Sequence, residues 1–281
     1  MALKAKKPIM KDARLKVFMY GDAGVGKTTA AFELPKPYII DSEQGTNYYA
    51  DRINEVGGAV FQTTLMSEVM DEVRSLRTEK HDYKTLVIDA ITPLYFDLAE
   101  RMEAKVGSDF GRHIAEANKH MRRLVNMLME LDMNVIMTAH SKVQYGDDMK
   151  KLGVTFDGWK RLDFIFDLVL ELRKVTPTNR KAKVVKSRLP YFPDGEVFDW
   201  TYNALSERVN VESMEREVEA VKVATPEQIE QINKIAGNMQ NGNEFVQNCI
   251  DKAKVEFLTD LSFDKAEKMI TAMRKKIGAS E

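Results

Sequence analysis

The chain has little of what would mark a secreted or membrane protein. Its 281 residues hold one cysteine, Cys249, so no intrachain disulfide can form and a reducing compartment is expected. No run approaches the roughly 18 consecutive apolar residues of a membrane span. The basic stretch at residues 1–11 has no apolar segment behind it, unlike a secretory leader, so a cytoplasmic protein without membrane contact is expected. An excess of one charge is missing too. Forty-two Lys plus Arg stand against 43 Asp plus Glu, a formal net charge of −1, so any nucleic-acid partner must meet a local patch. No internal repeat or low-complexity segment stands out. With 44% hydrophobic and 30% charged residues, the chain can bury a core, and its length suits one large domain plus a small appendage.

Up to about Asn203, short apolar β-rich runs alternate with stretches of helical period, the pattern of an α/β fold with a mostly parallel sheet. The expected strands are Leu15–Tyr20, Tyr38–Asp41, Ala59–Gln62, Thr85–Asp89 and Val135–His140. Several are apolar at consecutive positions, as strands buried on both faces are. Val69, Met70, Val73 and Leu76 share one helical face, as do Met121, Leu124, Val125, Leu128 and Leu131. A long polar loop is expected after His140. Asp167–Val175 and Lys181–Arg188 then read as an antiparallel hairpin turning at 176–180.

Residues 205–224 are rich in Glu and Arg without a long apolar stripe and read as a charged connector. Thr225-Pro226-Glu227-Gln228 carries a capping residue, a first-turn proline and a capping-box glutamine. Ala266, Met269, Ile270, Met273 and Ile277 form a helical stripe ended by Gly278. The expected organisation is an α/β domain at 1–204, a connector at 205–224 and a small helical domain at 225–281.

Gly21-Asp22-Ala23-Gly24-Val25-Gly26-Lys27-Thr28, with Thr29 behind it, fits G-x-x-x-x-G-K-[ST] between an apolar strand and a helical run. That context defines a P-loop. Its glycines let backbone amides wrap a phosphate chain, Lys27 reaches the β- and γ-phosphates, and Thr28 ligates magnesium. Thr85-Leu86-Val87-Ile88-Asp89 supplies an apolar strand ending in a carboxylate, so Asp89 is the expected second magnesium group. An Asp that merely opens the turn before Thr92-Pro93 is the alternative.

Asp89 is followed by Ala90, not by a glutamate, so the water-activating carboxylate typical of AAA+ and ABC ATPases is not next to the metal ligand and must come from elsewhere. The LSGGQ signature of ABC ATPases is missing, and no complete NKxD guanine-recognition motif is present, so guanine specificity loses its main support. Tyr38-Ile39-Ile40-Asp41-Ser42-Glu43 places Glu43 just past a strand on the ligand side of a parallel sheet, where a carboxylate can deprotonate water. Asp41 is the second candidate, and a capping or solvated role for Glu43 remains open. His140 ends the strand after Asp89 and reads either as a γ-phosphate sensor or as a structural histidine. Lys186 and Arg188, two apart on an expected strand, share a face; a phosphate clamp and a charged edge strand both fit them.

These segments resemble the RecA/KaiC superfamily, in which an I-D-x-E segment carries the catalytic glutamate. Within it they resemble the phage-encoded RecA-like ATPases of single-strand annealing and recombination. The likeness rests on G-D-A-G-V-G-K-T, I-I-D-S-E-Q-G-T, L-V-I-D-A-I-T, D-G-W-K-R-L-D-F-I-F-D and V-V-K-S-R-L-P, across about residues 15–200. It implies a magnesium-dependent, DNA-stimulated ATPase with His140 as sensor and Lys186 and Arg188 reaching a neighbouring subunit's γ-phosphate. It also implies self-association into a ring or filament on single-stranded DNA. A single-strand-binding or other replication protein would bind the tail.

By the same resemblance, Val106–His113 and Ser141–Trp159 are the DNA loops. The second offers Lys142, Tyr145, Lys150 and Lys151 for phosphates and bases, with Lys160 and Arg161 behind. Asp147, Asp148 and Asp157 dilute its charge, and Phe156 and Trp159 are base-stacking rings or core anchors. Lys4, Lys6, Lys7, Lys11, Arg14 and Lys16 read as a basic arm. A replication motor or helicase loader on the same core is one rival; a small-molecule kinase is another, although no Arg-rich lid signature is present.

Overall fold

The computed structural model describes residues 13–145, 150–176 and 179–277. Lys4, Lys6, Lys7 and Lys11 of the expected arm, Asp147, Asp148, the turn residues Pro177 and Thr178, and Gly278 lie outside the described residues. In chain order the elements are β1 (Lys16–Gly21), α1 (Lys27–Phe32), β2 (Pro37–Asp41), α2 (Ala50–Glu55), β3 (Ala59–Gln62), α3 (Met66–Thr78), β4 (Thr85–Asp89), α4 (Ile91–Val106) and α5 (Arg112–Glu130). There follow β5 (Asn134–Tyr145), β6 (Lys151–Phe156), α6 (Leu162–Ile165), β7 (Leu168–Lys174), β8 (Arg180–Ser187) and β9 (Val197–Asp199). The chain closes with α7 (Tyr202–Ser206), α8 (Val211–Glu215), α9 (Pro226–Gly237), α10 (Gly242–Ala253) and α11 (Phe263–Ile277). Two compact units result: one formed by 1–62, 82–92 and 133–217, the other by 63–81, 93–132 and 218–281.

The first unit holds a mixed sheet in the order β3-β2-β4-β5-β1-β7-β8-β9, with β6 paired to β5. From β3 to β7 every pairing is parallel, whereas β7-β8-β9 and β5-β6 are antiparallel. This is the α/β class with a closing hairpin that the sequence predicts. β1 and β4 are buried at every position, as parallel strands covered on both faces must be. Val17, Met19, Ile39, Val87, Ile136 and Leu170 join Phe32 of α1 in one core cluster. Leu205 and Met214 join it from the Glu- and Arg-rich stretch.

Two expectations need correction, and one open alternative is decided. The polar loop after His140 is instead the far half of β5, which pairs with β6 from Ser141 opposite Phe156 to Tyr145 opposite Lys151. Val143 and Tyr145 alternate there with Lys142 and Gln144, the period of two of a strand, and all four are exposed. Phe156 and Trp159 are core anchors and not stacking platforms: they are 8% and 5% exposed, and Phe156 meets Phe18 edge-to-face at 4.9 Å. Arg14 and Lys16 are no part of a solvated arm. The Arg14 guanidinium donates to the carbonyls of Ser213, Met214, Arg216 and Glu217, and Lys16 Nζ donates to Met133 O at 2.8 Å.

The second unit is helical. Ile232, Ala236, Ile250, Ala266, Met269, Ile270 and Met273 of α9–α11 close on one another. Thr225 and Gln228 complete the capping box, with Pro226 in the first turn. Val69, Met70, Val73 and Leu76 of α3 and Met121, Leu124, Val125 and Leu128 of α5 are all buried. Arg77, 2% exposed, donates to Glu130 at 2.7 Å and to the Asp260 carbonyl at 3.1 Å.

Candidate active site

The loop from Gly21 to Gly26 turns back on itself through two left-handed glycines, Gly24 (φ 69°) and Gly26 (φ 91°), a backbone that side chains with a Cβ resist. Gly26 caps α1 with no side-chain cap bond and no acid in the first turn, which leaves the first-turn amides for an anion. Val25 is buried in the core, and a Cβ on Gly21 would lie 2.6 Å from Leu172 O. Asp22, Ala23, Gly24, Gly26, Lys27, Thr28 and Thr29 line a cleft of about 560 Å³, a volume that suits a small-molecule ligand.

Lys27 is 8% exposed. Its Nζ lies against the loop's own carbonyls, donating to Gly21 O at 2.9 Å and Asp22 O at 3.1 Å. Burial pushes its pKa below the ordinary lysine value, against the pull of Asp89, Glu43 and Asp22. Asp89 ends β4 beneath Thr28, and both Thr28 Oγ1 and Thr138 Oγ1 of β5 donate to its two oxygens. Burial raises its pKa, while those hydroxyls and Lys27 pull it down and Glu43 adds to the rise. A paired hydroxyl and carboxylate beside a phosphate cradle are the hard oxygen donors that magnesium takes, with the remaining positions left to phosphate and water.

Register explains why the remaining groups converge. β5 lies between β1 and β4, with His140 opposite Gly21, while Asp41 of β2 stands opposite Asp89. Asp41 is 1% exposed. Its oxygens accept from the backbone N–H of Glu43, Gly45 and Thr46 and from Thr46 Oγ1. It is thus the anchor of the turn that presents Glu43. Ser42 ties the same turn to β4, its N–H donating to Asp89 O at 2.8 Å and its hydroxyl to Ala90 O at 2.8 Å. Glu43 and His140 both line the cleft, and His140 Nε2 donates to Glu43 Oε1 at 2.6 Å.

Lys186 and Arg188 do not line this cleft. Lys186 Nζ donates to the carbonyls of Phe166 and Phe164. Arg188 donates to Phe164 O at 2.7 Å, Ile165 O at 3.0 Å and Asp167 at 3.2 Å. Both cations thus hold the end of α6, and Arg188 lies one residue beyond β8. Of the expected DNA contacts, Tyr145 is 57% exposed, Lys150 and Lys151 are exposed, and Lys142 pairs with Asp157 at 2.7 Å. The 106–113 segment is a short 3-10 turn at Asp109–Gly111 with Phe110 fully exposed.

Sequence reasoning missed Gly45, Tyr49, Ser141 and Arg180, which also line the cleft. Ser141 Oγ donates to Asp22 Oδ1, and Arg180 Nε donates to Val25 O at 3.0 Å. Arg180 falls in a segment that reads as a turn, and nothing local signals that it folds over a loop 155 residues earlier. Among the described residues, no group of three or more His, Cys, Asp or Glu is placed to hold a metal, and no helix is long and apolar enough to cross a membrane.

No curated protein sequence matches the chain. A family model for an AAA domain matches residues 13–197, more than half of the 281 residues and a span that includes every strand from β1 to β8 and the whole P-loop cleft. The chain belongs to the AAA domain family, whose P-loop core is a nucleotide-binding and hydrolysing unit.

Proposed function

We propose that the protein is a magnesium-dependent ATPase of RecA-like type whose turnover is coupled to single-stranded DNA, acting in phage recombination or annealing. In this reading Lys27 and the amides of the loop bind the phosphate chain, and Thr28 and Asp89 are the protein's magnesium ligands. When bound, the ion neutralises charge on the phosphates and fixes their orientation. Glu43 takes a proton from the attacking water. Lys142, Tyr145, Lys150 and Lys151 meet the DNA. Assembly into a ring or filament, and a replication partner for the tail, complete the proposal.

The continuity of β5 carries the coupling. One strand runs from Thr138, bonded to Asp89, through His140, bonded to Glu43, to Tyr145 in the exposed ribbon. A shift of His140 on loss of the γ-phosphate would move the ribbon's base by the same backbone. The test is the ATPase rate with and without single-stranded DNA, with particle size measured by light scattering. The proposal expects stimulation and a DNA-bound assembly. ATP consumption indifferent to DNA but paired with phosphorylation of a metabolite would turn the reading to a kinase, and strand separation would turn it to a replication motor.

A further inference from the structure

Arg180 is absorbed by none of the roles above. It is the first residue of β8, where its backbone is fixed by pairing with Lys174 and by the N–H of Trp200 donating to its carbonyl at 3.0 Å. Its side chain reaches across to the P-loop, with Nε on Val25 O. A Cβ added to Gly26 would lie 2.0 Å from Arg180 Nε, 2.6 Å from Cδ and 2.8 Å from Cζ. The guanidinium therefore lies against the bare Cα of Gly26, the residue that caps α1. Among the described residues, Nε is the only one of its three nitrogens with a protein partner.

Charge decides what that group is for. The cleft holds the carboxylates of Asp22 and Glu43, with Asp89 beneath it. Lys27 and Arg180 are the only Lys or Arg side chains among the described residues that line it. A nucleoside triphosphate brings about four further negative charges into this confined space. One ammonium and one divalent cation offset only part of that total. A guanidinium whose Nη atoms are unengaged is suited to a charge-assisted, forked contact with phosphate oxygens.

We propose that Arg180 is a substrate-contacting residue acting in cis, clamping the phosphate chain of the nucleotide over Gly26. The assignment rests on the reading of the cleft as an ATP site. It also gives Gly26 a second constraint beyond its left-handed backbone, because any side chain there would occupy the clamp's position.

The test uses the full chain and calorimetric titration with Mg–ATP and with Mg–tripolyphosphate, which has no base or sugar. Arg180→Ala is expected to weaken both ligands by about tenfold, the loss of one charge-assisted contact. Arg180→Lys should recover part of the loss, since it keeps the charge without the fork. If Arg180→Ala fails to fold, Arg180→Met keeps an aliphatic stem over Gly26 without charge and carries the same expectation. Wild-type affinity in a folded, uncharged variant overturns the clamp. Weaker Mg–ATP with unchanged tripolyphosphate also overturns it, by moving Arg180 to the nucleoside. A folded wild-type protein that binds neither ligand sinks the ATP site itself, a result distinct from either.

Discussion

The hydrogen bond from His140 Nε2 to Glu43 Oε1, 2.6 Å long, spans the end of β4. β4 lies between β2 and β5 in the sheet and ends at Asp89, so the bridge closes over the carboxylate that sits beneath Thr28. Asp89, His140 and Glu43, on β4, on β5 and in the turn after β2, thus face the P-loop, and Asp41, the other acid of that turn, is taken up by backbone amides and the Thr46 hydroxyl.

Glu43→Gln separates the two things Glu43 does. The amide oxygen still accepts from His140, so the bridge survives, but the proton acceptor is gone. Hydrolysis should fall by about 10²–10⁴-fold, the usual worth of a general base, with Mg–ATP affinity unchanged. Single-turnover hydrolysis and equilibrium titration measure the two separately. Hydrolysis at the wild-type rate would move the base away from Glu43.

Asp89→Asn should stabilise the nucleotide-free protein while stopping magnesium-dependent turnover. Burial holds the Asp89 carboxyl above its ordinary value of 3.8, so between that value and the raised one the folded state binds more protons than the unfolded. Stability contributed by this group is therefore full below the ordinary carboxyl value and is lost as pH rises through the raised one. Asparagine removes that loss and leaves partners for Thr28 and Thr138, whose hydroxyls can donate or accept. At neutral pH the Tm should rise by about 2–4 °C, the shift that ~1 kcal/mol makes in a domain of this size, and the gain should vanish below the ordinary carboxyl value. A Tm lowered at neutral pH contradicts the burial argument.

The P-loop and the strands up to β4 were legible because each is a contiguous signal: glycines at fixed spacing after an apolar run, or three apolar positions ending in a carboxylate. Glu43 followed from the same logic, since a parallel sheet presents its ligand groups at the carboxyl ends of its strands. The β5–β6 ribbon was not legible, because Lys142 and Lys151 interrupt the apolar pattern while the period of two continues beneath them. Arg14, Lys16 and Arg180 were opaque for a different reason. Each donates to a backbone carbonyl that is remote in sequence, and a carbonyl has no sequence signature.

Arg77 offers a test of stability in the helical unit alone. Its buried guanidinium joins α3 to Glu130 of α5 and to the Asp260 carbonyl of the tail, and its own carbonyl accepts from Val221 N at 2.8 Å. Removing one partner of a buried pair costs about 3–5 kcal/mol, and the 43% exposure of Glu130 puts this pair at the low end. Arg77→Ala should therefore lower the urea midpoint by the equivalent of about 3 kcal/mol, with Mg–ATP affinity retained because no cleft-lining residue belongs to this unit. An unchanged midpoint would mean that the guanidinium is dispensable.

Lys186 and Arg188 pose the last question, because neither reaches the cleft of its own chain. Their donors are taken up by the carbonyls of Phe164, Ile165 and Phe166, yet Arg188 remains 54% exposed, open to a phosphate presented by another protomer. If they serve a neighbouring site, hydrolysis requires assembly, and the two defects must complement. A Lys27→Ala protein keeps its cations but cannot hold ATP; an Arg188→Ala protein holds ATP but lacks the finger. Mixing the two should restore part of the ATPase activity that neither has alone, since some interfaces will set an intact Arg188 against an occupied P-loop. The measurement is steady-state hydrolysis across mixing ratios, with mixed assembly checked by light scattering. Co-assembly without rescue would leave Lys186 and Arg188 as the clamp on α6 that their hydrogen bonds describe.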